Sequence, residues 1–286
     1  MSERPTKCAL CCLFFLIAAI VNVLPEDDAV PATNAASWQQ PPLTTDPIAQ
    51  VPWLSIANWY SPSFHGAASS SDSVTVRVLL PFATGPLNHV ARITIPFNTK
   101  APPTEGQNDT SENIADLPLG AGNLGDITVY DLLVFRVLDG RVGIGPEMQF
   151  PTGVDRASGS GKWSVGPAAG FVTERGPWQL GLFSQSLFSF EGDPERPSVR
   201  QSKVQPLVRY WLGEGWSIGS STMSFTYSWH RHAWRNVPVG PRVSKLIAVG
   251  RHSINLSGEA EYNLVDQTFT PEWTLRFTAT VFFPRN

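Results

Sequence analysis

Cysteine is nearly absent from this chain of 286 residues, and its three cysteines all lie close to the N-terminus. Cys8, Cys11 and Cys12 fall within one apolar run, and no cysteine follows it. An exported protein without cysteine outside its leader has no disulfide bonds to stabilise it. Hydrogen bonding and packing must therefore hold the fold together.

Charged residues are also scarce. They make up 16% of the chain, against roughly 25% in ordinary soluble domains. The formal net charge is −3, so no excess of positive charge favours a nucleic-acid partner. Aromatic residues, in contrast, reach 11% and include ten tryptophans. This composition indicates a large surface that contacts something other than water.

The sequence has few of the patterns that accompany catalysis or cofactor binding. It contains no phosphate-binding loop, nucleotide fingerprint or cluster of metal ligands. His230 and His232 lie close together, but no acidic or thiol partner is near, so a polar loop end is the preferred interpretation. His252 and Ser253 are the only close pair for a hydrolytic site, and neighbouring strand residues point to opposite faces. We therefore expect no enzymatic activity, no cofactor and no metal.

The N-terminal segment has the layout of a secretory signal peptide. Arg4 and Lys7 precede the run Cys8–Leu24, which is almost wholly apolar. Small residues around Val30–Ala32 then offer a cleavage site. An uncleaved membrane anchor is the alternative, although a run of 17 residues is marginal for spanning a bilayer.

From about residue 51 onward, apolar and polar residues alternate. In Arg141–Phe150, Val142 and Ile144 share one face of a strand, and Glu147 and Gln149 share the other. Twelve candidate strands of this kind follow one another: Val51–Tyr60, Ser73–Leu80, Val90–Pro96, Leu124–Val137, Arg141–Phe150, Trp163–Thr173, Trp178–Phe190, Val199–Leu212, Trp216–Trp229, Val237–Val249, Ser253–Asn263 and Trp273–Phe283.

Short and long connections alternate between these candidate strands. Tight turns such as Leu138–Gly140 and Gly213–Gly215 contain the residues that hairpins require. Asn98–Asn123 is the longest connection; we interpret it as a surface loop, with an inward-folded constriction as the alternative. Bacterial outer-membrane barrels have even strand numbers, short periplasmic turns and long outer loops. The sequence thus predicts an all-β, transmembrane, antiparallel up-and-down β-barrel of about 12 strands, with a soluble ligand-binding sandwich as the alternative.

Tryptophan marks the ends of several candidate strands. Aromatic girdles lie at the two interfaces of membrane barrels, so we predict interface positions for Trp163, Trp178, Trp216, Trp229 and Trp273. The last candidate strand has a one-sided apolar stripe that ends on an aromatic residue and so resembles the terminal strands that the barrel assembly machinery recognises, except that Pro284–Asn286 follows. The expected partners are that machinery, outer-membrane lipid and lipopolysaccharide.

Several motifs resemble those of one bacterial family. They include Gly143–Pro146, Gly159–Trp163, Gly166–Ala168 and Pro271–Phe277, within a resemblance that covers about Trp53–Pro284. The family comprises outer-membrane β-barrels grouped as meta-pathway phenol-degradation or neuromedin U-like transporter proteins. The resemblance implies a barrel in the outer membrane of a Gram-negative bacterium that passes small, hydrophobic or aromatic molecules. A non-transporting structural or adhesive barrel that acts through its surface loops is the alternative.

The polar strand faces predict which side chains line the lumen. These are Arg77, Arg92, Arg136, Glu147, Gln149, Lys203, Gln205, Arg209, Glu259, Glu261 and Arg276. Eight-stranded barrels are filled by their side chains and sixteen-stranded ones leave an aqueous pore, so twelve strands predict a narrow or gated path. The alternative is that these charges pair across a closed lumen. The solute cannot be read from these residues.

The predicted organisation is a signal peptide at residues 1–32, an N-terminal periplasmic lead at 33–50 and an outer-membrane β-barrel at 51–286. Outer-membrane phospholipases are also twelve-stranded, but their pattern of His, one residue, then Ser-Asn-Gly is absent. For the strand Arg141–Phe150, the predicted orientation means that a charge at Ile144 should impair membrane assembly. A charge at Gly145 should be tolerated better.

Overall fold

The computed structural model describes residues 46–100, 124–153, 158–250 and 252–283. These residues form one antiparallel sheet of fifteen strand segments. The segments are β1 (Trp53–Phe64), β2 (Ser71–Thr84), β3 (Leu87–Lys100), β4 (Ile127–Val137), β5 (Gly140–Phe150), β6 (Lys162–Arg175), β7 (Trp178–Gly192), β8 (Arg200–Gly213), β9 (Trp216–Ser220), β10 (Phe225–Ser228), β11 (Ala233–Asn236), β12 (Pro238–Val239), β13 (Pro241–Val249), β14 (His252–Asn263) and β15 (Pro271–Phe282). The predicted signal peptide, most of the predicted lead and most of Asn98–Asn123 lie outside the described residues.

The sheet closes on itself, because β1 pairs with β15 from Trp53 opposite Phe282 to Phe64 opposite Pro271. β9 and β10 lie along one strand position, and β11 to β13 lie along the next, so the wall is a barrel of twelve strands. The predicted all-β, antiparallel, up-and-down barrel is therefore confirmed. Among the described residues, no helix is long and apolar enough to cross a bilayer.

Two predicted strands are interrupted. Val237–Val249 is divided at Gly240 into β12 and β13. Trp216–Trp229 was expected to be continuous, but residues Ser221–Ser224 separate β9 from β10. Met223 has a positive φ of 41°, which takes the backbone out of the extended conformation. The backbone N–H groups of Thr222 and Met223 donate to carboxylates inside the barrel instead of joining the β-ladder.

The barrel wall is apolar outside and polar inside. In β5, Ile144 is 53% exposed on the outer face, whereas Glu147 and Gln149 are buried on the inner face. The outer stripe of β15 includes Trp273 and Phe277, and both are exposed. Among the described residues, the buried side chains are more often polar than apolar. This is the reverse of a soluble sheet, whose buried face is the apolar one.

The five tryptophans predicted at the membrane interfaces are all exposed. Trp163 contacts Phe150 with ring centroids 5.4 Å apart, and Trp273 contacts Tyr262 at 5.1 Å, both near long connections. Trp178 contacts Tyr210 at 4.8 Å near a short turn. Trp216 and Trp229 are the other two members. Their role as interface anchors stays a prediction, and their positions at both ends of the wall favour it.

The half of the lumen near the short turns is filled by an apolar cluster. It includes Ile48, Ala49, Trp53, Leu79, Val90, Tyr130, Leu132, Val134, Ala168, Val172, Phe183 and Phe282. Ile48 and Ala49 belong to the segment that the sequence assigns to the periplasmic lead, and the structure places them inside the barrel. The lumen is thus packed at one end and polar above that packing.

Candidate functional site: the barrel lumen

A cavity of about 150 Å³ lies inside the barrel, above the apolar cluster. Its charged lining comes from strands on opposite sides of the wall: Arg77, Arg92, Glu147, Lys203, Arg209, Arg242, Glu259 and Arg276. Six of these side chains are basic and two are acidic. The low dielectric of a barrel interior strengthens such fields, so the cavity favours negative charge.

The acidic residues of β14 are held in one hydrogen-bonded network. Arg276 contacts Glu259 and lies 3.3 Å from Glu261, measured from Nη2 to Oε2. Arg242 lies 3.1 Å from Glu259, measured from Nη1 to Oε1. The N–H of Thr222 donates to Glu259 at 2.8 Å, so the interruption between β9 and β10 is tied to this network. These buried charges are paired, as burial requires.

Arg77 and Arg92 differ from this network. Among the described residues, neither guanidinium has a carboxylate within ion-pair distance, and the Nε of each is buried without a hydrogen-bond partner. Arg77 lies over the ring of Trp59, with 5.4 Å from Cζ to the centroid. Arg92 lies over Tyr130 at 4.4 Å. The cavity therefore combines open guanidinium donors with the aromatic side chains of Trp59 and Phe183.

A second cleft of about 420 Å³ opens at the end of the barrel that carries the long connections. Arg196, Arg200, Arg235 and His230 line it together with Glu195. It meets the inner face of β5 at Gln149, two residues from Glu147 in the deeper cavity. Two residues along a strand span roughly 7 Å, so the basic regions of the cavity and the cleft lie close together.

Pro47 forms part of the floor of the deeper cavity. Its neighbours Asp46, Ile48 and Ala49 have zero exposed surface. Tyr130 donates a hydrogen bond from its hydroxyl to the carbonyl of Pro47 at 2.7 Å. The chain itself therefore fills part of the lumen at this level.

Ten of the eleven residues predicted to line the lumen lie on its inner face near these two spaces. Arg77, Arg92, Glu147, Lys203, Gln205, Arg209, Glu259 and Arg276 line the deeper cavity, Gln149 lines the outer cleft, and Glu261 pairs with Arg276. Arg136 is instead exposed at the short-turn end of β4. The roles of these residues in passage stay predictions.

Sequence reasoning missed several residues of the lumen. Arg242 shares the inner face of β13 with Ser244, and strict alternation in that strand would have identified it. Trp59 alternates with Ser55 on the inner face of β1 and was readable in the same way. The position of Asp46 inside the barrel had no periodic signal, because it precedes the first strand.

Among the described residues, no group of three or more His, Cys, Asp or Glu side chains could hold a metal ion. His252 and Ser253 are consecutive in β14 and so point to opposite faces.

The sequence matches no family model and no curated protein. The structure is similar to that of the COG4313 outer membrane channel from Pseudomonas putida F1, with a TM-score of 0.56, 14% identity, and coverage of 85% of this chain and 99% of that one. It also matches outer membrane phospholipase A from Escherichia coli (TM-score 0.40, 12% identity, 82% and 92% coverage) and the calcium-bound phospholipase dimer from Salmonella typhi (0.38, 12%, 90% and 99%). The similarity to the channel shows a shared fold, whereas the TM-scores for the two phospholipases are too low to support a conclusion.

Proposed function

We propose that this protein is an outer-membrane channel that passes small organic anions. The apolar outer wall with exposed aromatic residues at both ends supports insertion in a bilayer. The shared fold with an outer membrane channel supports passage rather than catalysis. The observation that carries the proposal is the excess of basic over acidic side chains around a cavity within the barrel.

The solute class follows from the chemistry of the lining. A neutral apolar solute in the cavity would leave the open donors of Arg77 and Arg92 without a hydrogen-bond acceptor, which is unfavourable. A carboxylate can accept the open donors of Arg77 and Arg92. A flat ring attached to it can stack on Trp59, which lines the cavity and already lies against Arg77. Aromatic carboxylates fit both features, and they agree with the aromatic solutes that the family resemblance implies.

The test is ion selectivity in a planar bilayer with a salt gradient. We expect the reversal potential of the purified protein to show a preference for anions. Replacing both Arg77 and Arg92 with Gln should lower the ratio of anion to cation permeability at least threefold, because it removes two of six basic groups from the lining. Adding benzoate should reduce the chloride current through the unmodified protein and have less effect on the double variant.

Arg175→Gln is the matched control, because it removes the same charge from a side chain that is 73% exposed at a turn. It should leave selectivity unchanged. A cation preference, or equal selectivity in all variants, would contradict the proposal. Folded protein that never conducts would favour the structural or adhesive barrel, whose long loops would then be the functional surface.

A further inference from the structure

The segment Asp46–Ala49 occupies a formed site inside the lumen. All four residues are buried, and Asp46, Ile48 and Ala49 have zero exposed surface. The segment enters from the short-turn end, because it is joined through Pro52 to the start of β1 and its Asp46 contacts Arg141, next to the short turn between β4 and β5. It therefore lies across the axis of the barrel and does not continue the wall.

Polar contacts hold both ends of the Asp46–Pro47 peptide. Arg141 of β5 donates from Nη2 to Oδ2 of Asp46 at 2.7 Å. The other carboxylate oxygen accepts the N–H of Ile48 at 2.9 Å, which shapes the segment into a tight turn. Tyr130 of β4 supplies the hydrogen bond to the Pro47 carbonyl. Arg141, Tyr130 and the N–H of Ile48 thus satisfy polar groups of this buried turn.

Missing side chains on the inner wall make room for the apolar groups of the segment. A Cβ at Gly143 would lie 2.5 Å from Cγ2 of Ile48, and its next neighbours, in Leu132, would be at an ordinary 3.4 Å. A Cβ at Gly170 would lie 3.0 Å from Cδ2 of Phe183 and at an ordinary 3.5 Å from Cγ of Pro47. The wall itself could therefore accept a methyl group at Gly143. Among the residues that the structure describes, the only close conflict is with Ile48.

We propose that Asp46–Ala49 is a removable gate and that its seat, formed by Tyr130, Leu132, Arg141, Gly143 and Gly170, is a peptide-binding site inside the lumen. The occupant is the chain's own segment. The seat contacts its carboxylate, its proline and its branched aliphatic residue. Withdrawal toward the short-turn end would open the floor of the cavity. The gating role of the segment rests on the proposed channel function, whereas the peptide-binding site does not depend on that function.

The first test measures seating without measuring transport. In the full chain with Cys8, Cys11 and Cys12 replaced by Ser, Ala49→Cys supplies a single thiol. Its reaction with a water-soluble maleimide should be slow in the folded protein, because the site is buried. Adding Gly143→Ala should raise the labelling rate at least tenfold. Gly258→Ala, whose Cβ would lie 3.8 Å from the nearest ring atom of Phe277, should not change it.

The second test measures conductance with the same Gly143→Ala and Gly258→Ala pair and with a deletion of residues 46–49. Gly143→Ala and the deletion should each raise single-channel conductance severalfold over the unmodified chain and over Gly258→Ala. The peptide Thr-Asp-Pro-Ile-Ala-Gln, added on the short-turn side, should lower the conductance of the deletion variant again. The same peptide with Asp in place of Ile should have no effect.

These readouts separate the two proposals. If no variant conducts while Gly143→Ala still accelerates labelling, the channel function fails and the peptide site stands. If the unmodified chain conducts, and neither labelling nor conductance responds to Gly143→Ala, the gate is overturned. Rapid labelling of Ala49→Cys in the otherwise unmodified barrel would also overturn it, because the segment would not occupy its seat.

Discussion

At the scale of single residues, Gly143 and Gly145 of β5 show how far alternation can mislead. The pattern treats these two inner-face glycines as equivalent. A Cβ at Gly143 would meet the side chain of Ile48, whereas a Cβ at Gly145 would overlap the backbone carbonyl of Asp131. A charge at Gly145 is therefore a poor choice for a tolerated substitution, because any side chain there disturbs the wall.

The carboxyl group of Asp46 should make seating depend on pH. Burial raises the pKa of Asp46 above its ordinary value of 3.8, and Glu174 raises it further, whereas Arg141 and the Ile48 N–H lower it only in part. The seated state thus favours the protonated carboxyl, so seating is strongest below the free pKa and weakens as the pH rises through the seated pKa. In Gly143→Ala, we expect lower single-channel conductance at about pH 4 than at about pH 7.

Asp46→Asn separates this effect from the titration of other lumen acids. The amide keeps an acceptor for the Ile48 N–H but carries no charge. In the Gly143→Ala background it should abolish most of the conductance difference between the two pH values. A conductance that rises on acidification, or a difference that Asp46→Asn leaves intact, would show that burial of this carboxyl does not control seating.

At the scale of elements, the two faces of a strand should respond oppositely to charge. Ile144→Glu places a carboxylate on the exposed outer face of β5. Its cost in lipid should be below the roughly 2–4 kcal/mol of a lysine or arginine at the midplane. Gln205→Glu places the same group among basic residues in the lumen. We expect Ile144→Glu to reduce folded protein in membranes severalfold and Gln205→Glu to assemble normally, as measured by folding yield into vesicles.

The reverse ranking of these two variants would mean that the inner and outer faces have been exchanged. A one-residue slip of register exchanges the faces of a whole strand, so the comparison tests the register of β5 and β8 as well.

Most strands could be predicted because alternation is a local property. The interruption between β9 and β10 could not, although the run Ser220–Ser224 is polar and contains no apolar partner for the outer face except Met223. Its cause is non-local: Glu259 and Glu261 lie 37 and 38 residues further along the chain than Thr222 and Met223, whose N–H groups they accept. A pattern within one strand carries no information about an acceptor on another.

At the scale of the whole molecule, barrel closure decided which predicted residues meet. Alternation assigned Arg276, Glu259 and Arg92 to one face, but only the order of the strands brings Arg276 to Glu259 and leaves Arg92 against Tyr130. The division into paired charges and open donors was therefore beyond sequence reasoning. So was the occupied lumen, since its apolar cluster includes residues from before the first strand.

Membrane insertion predicts a simple property of the intact protein. Barrels closed by β1–β15 pairing have no free sheet edge, so we expect the folded form to resist detergent and to migrate faster on a gel than the boiled form. The heat-modifiable band should fractionate with the outer membrane. A folded protein that stays in aqueous solution without detergent would contradict the assignment of this barrel to a membrane.

The short connection between the gate and β1 has a thermodynamic consequence. Only residues 50–52 separate Ala49 from the first strand. A short flexible tether holds its ligand at an effective concentration on the order of 1 mM. A seat with an intrinsic Kd of about 10 μM would then be empty only about 1% of the time. Since each 1.4 kcal/mol changes that occupancy ratio about tenfold, one lost contact would turn a barrel that is almost always closed into one that opens often.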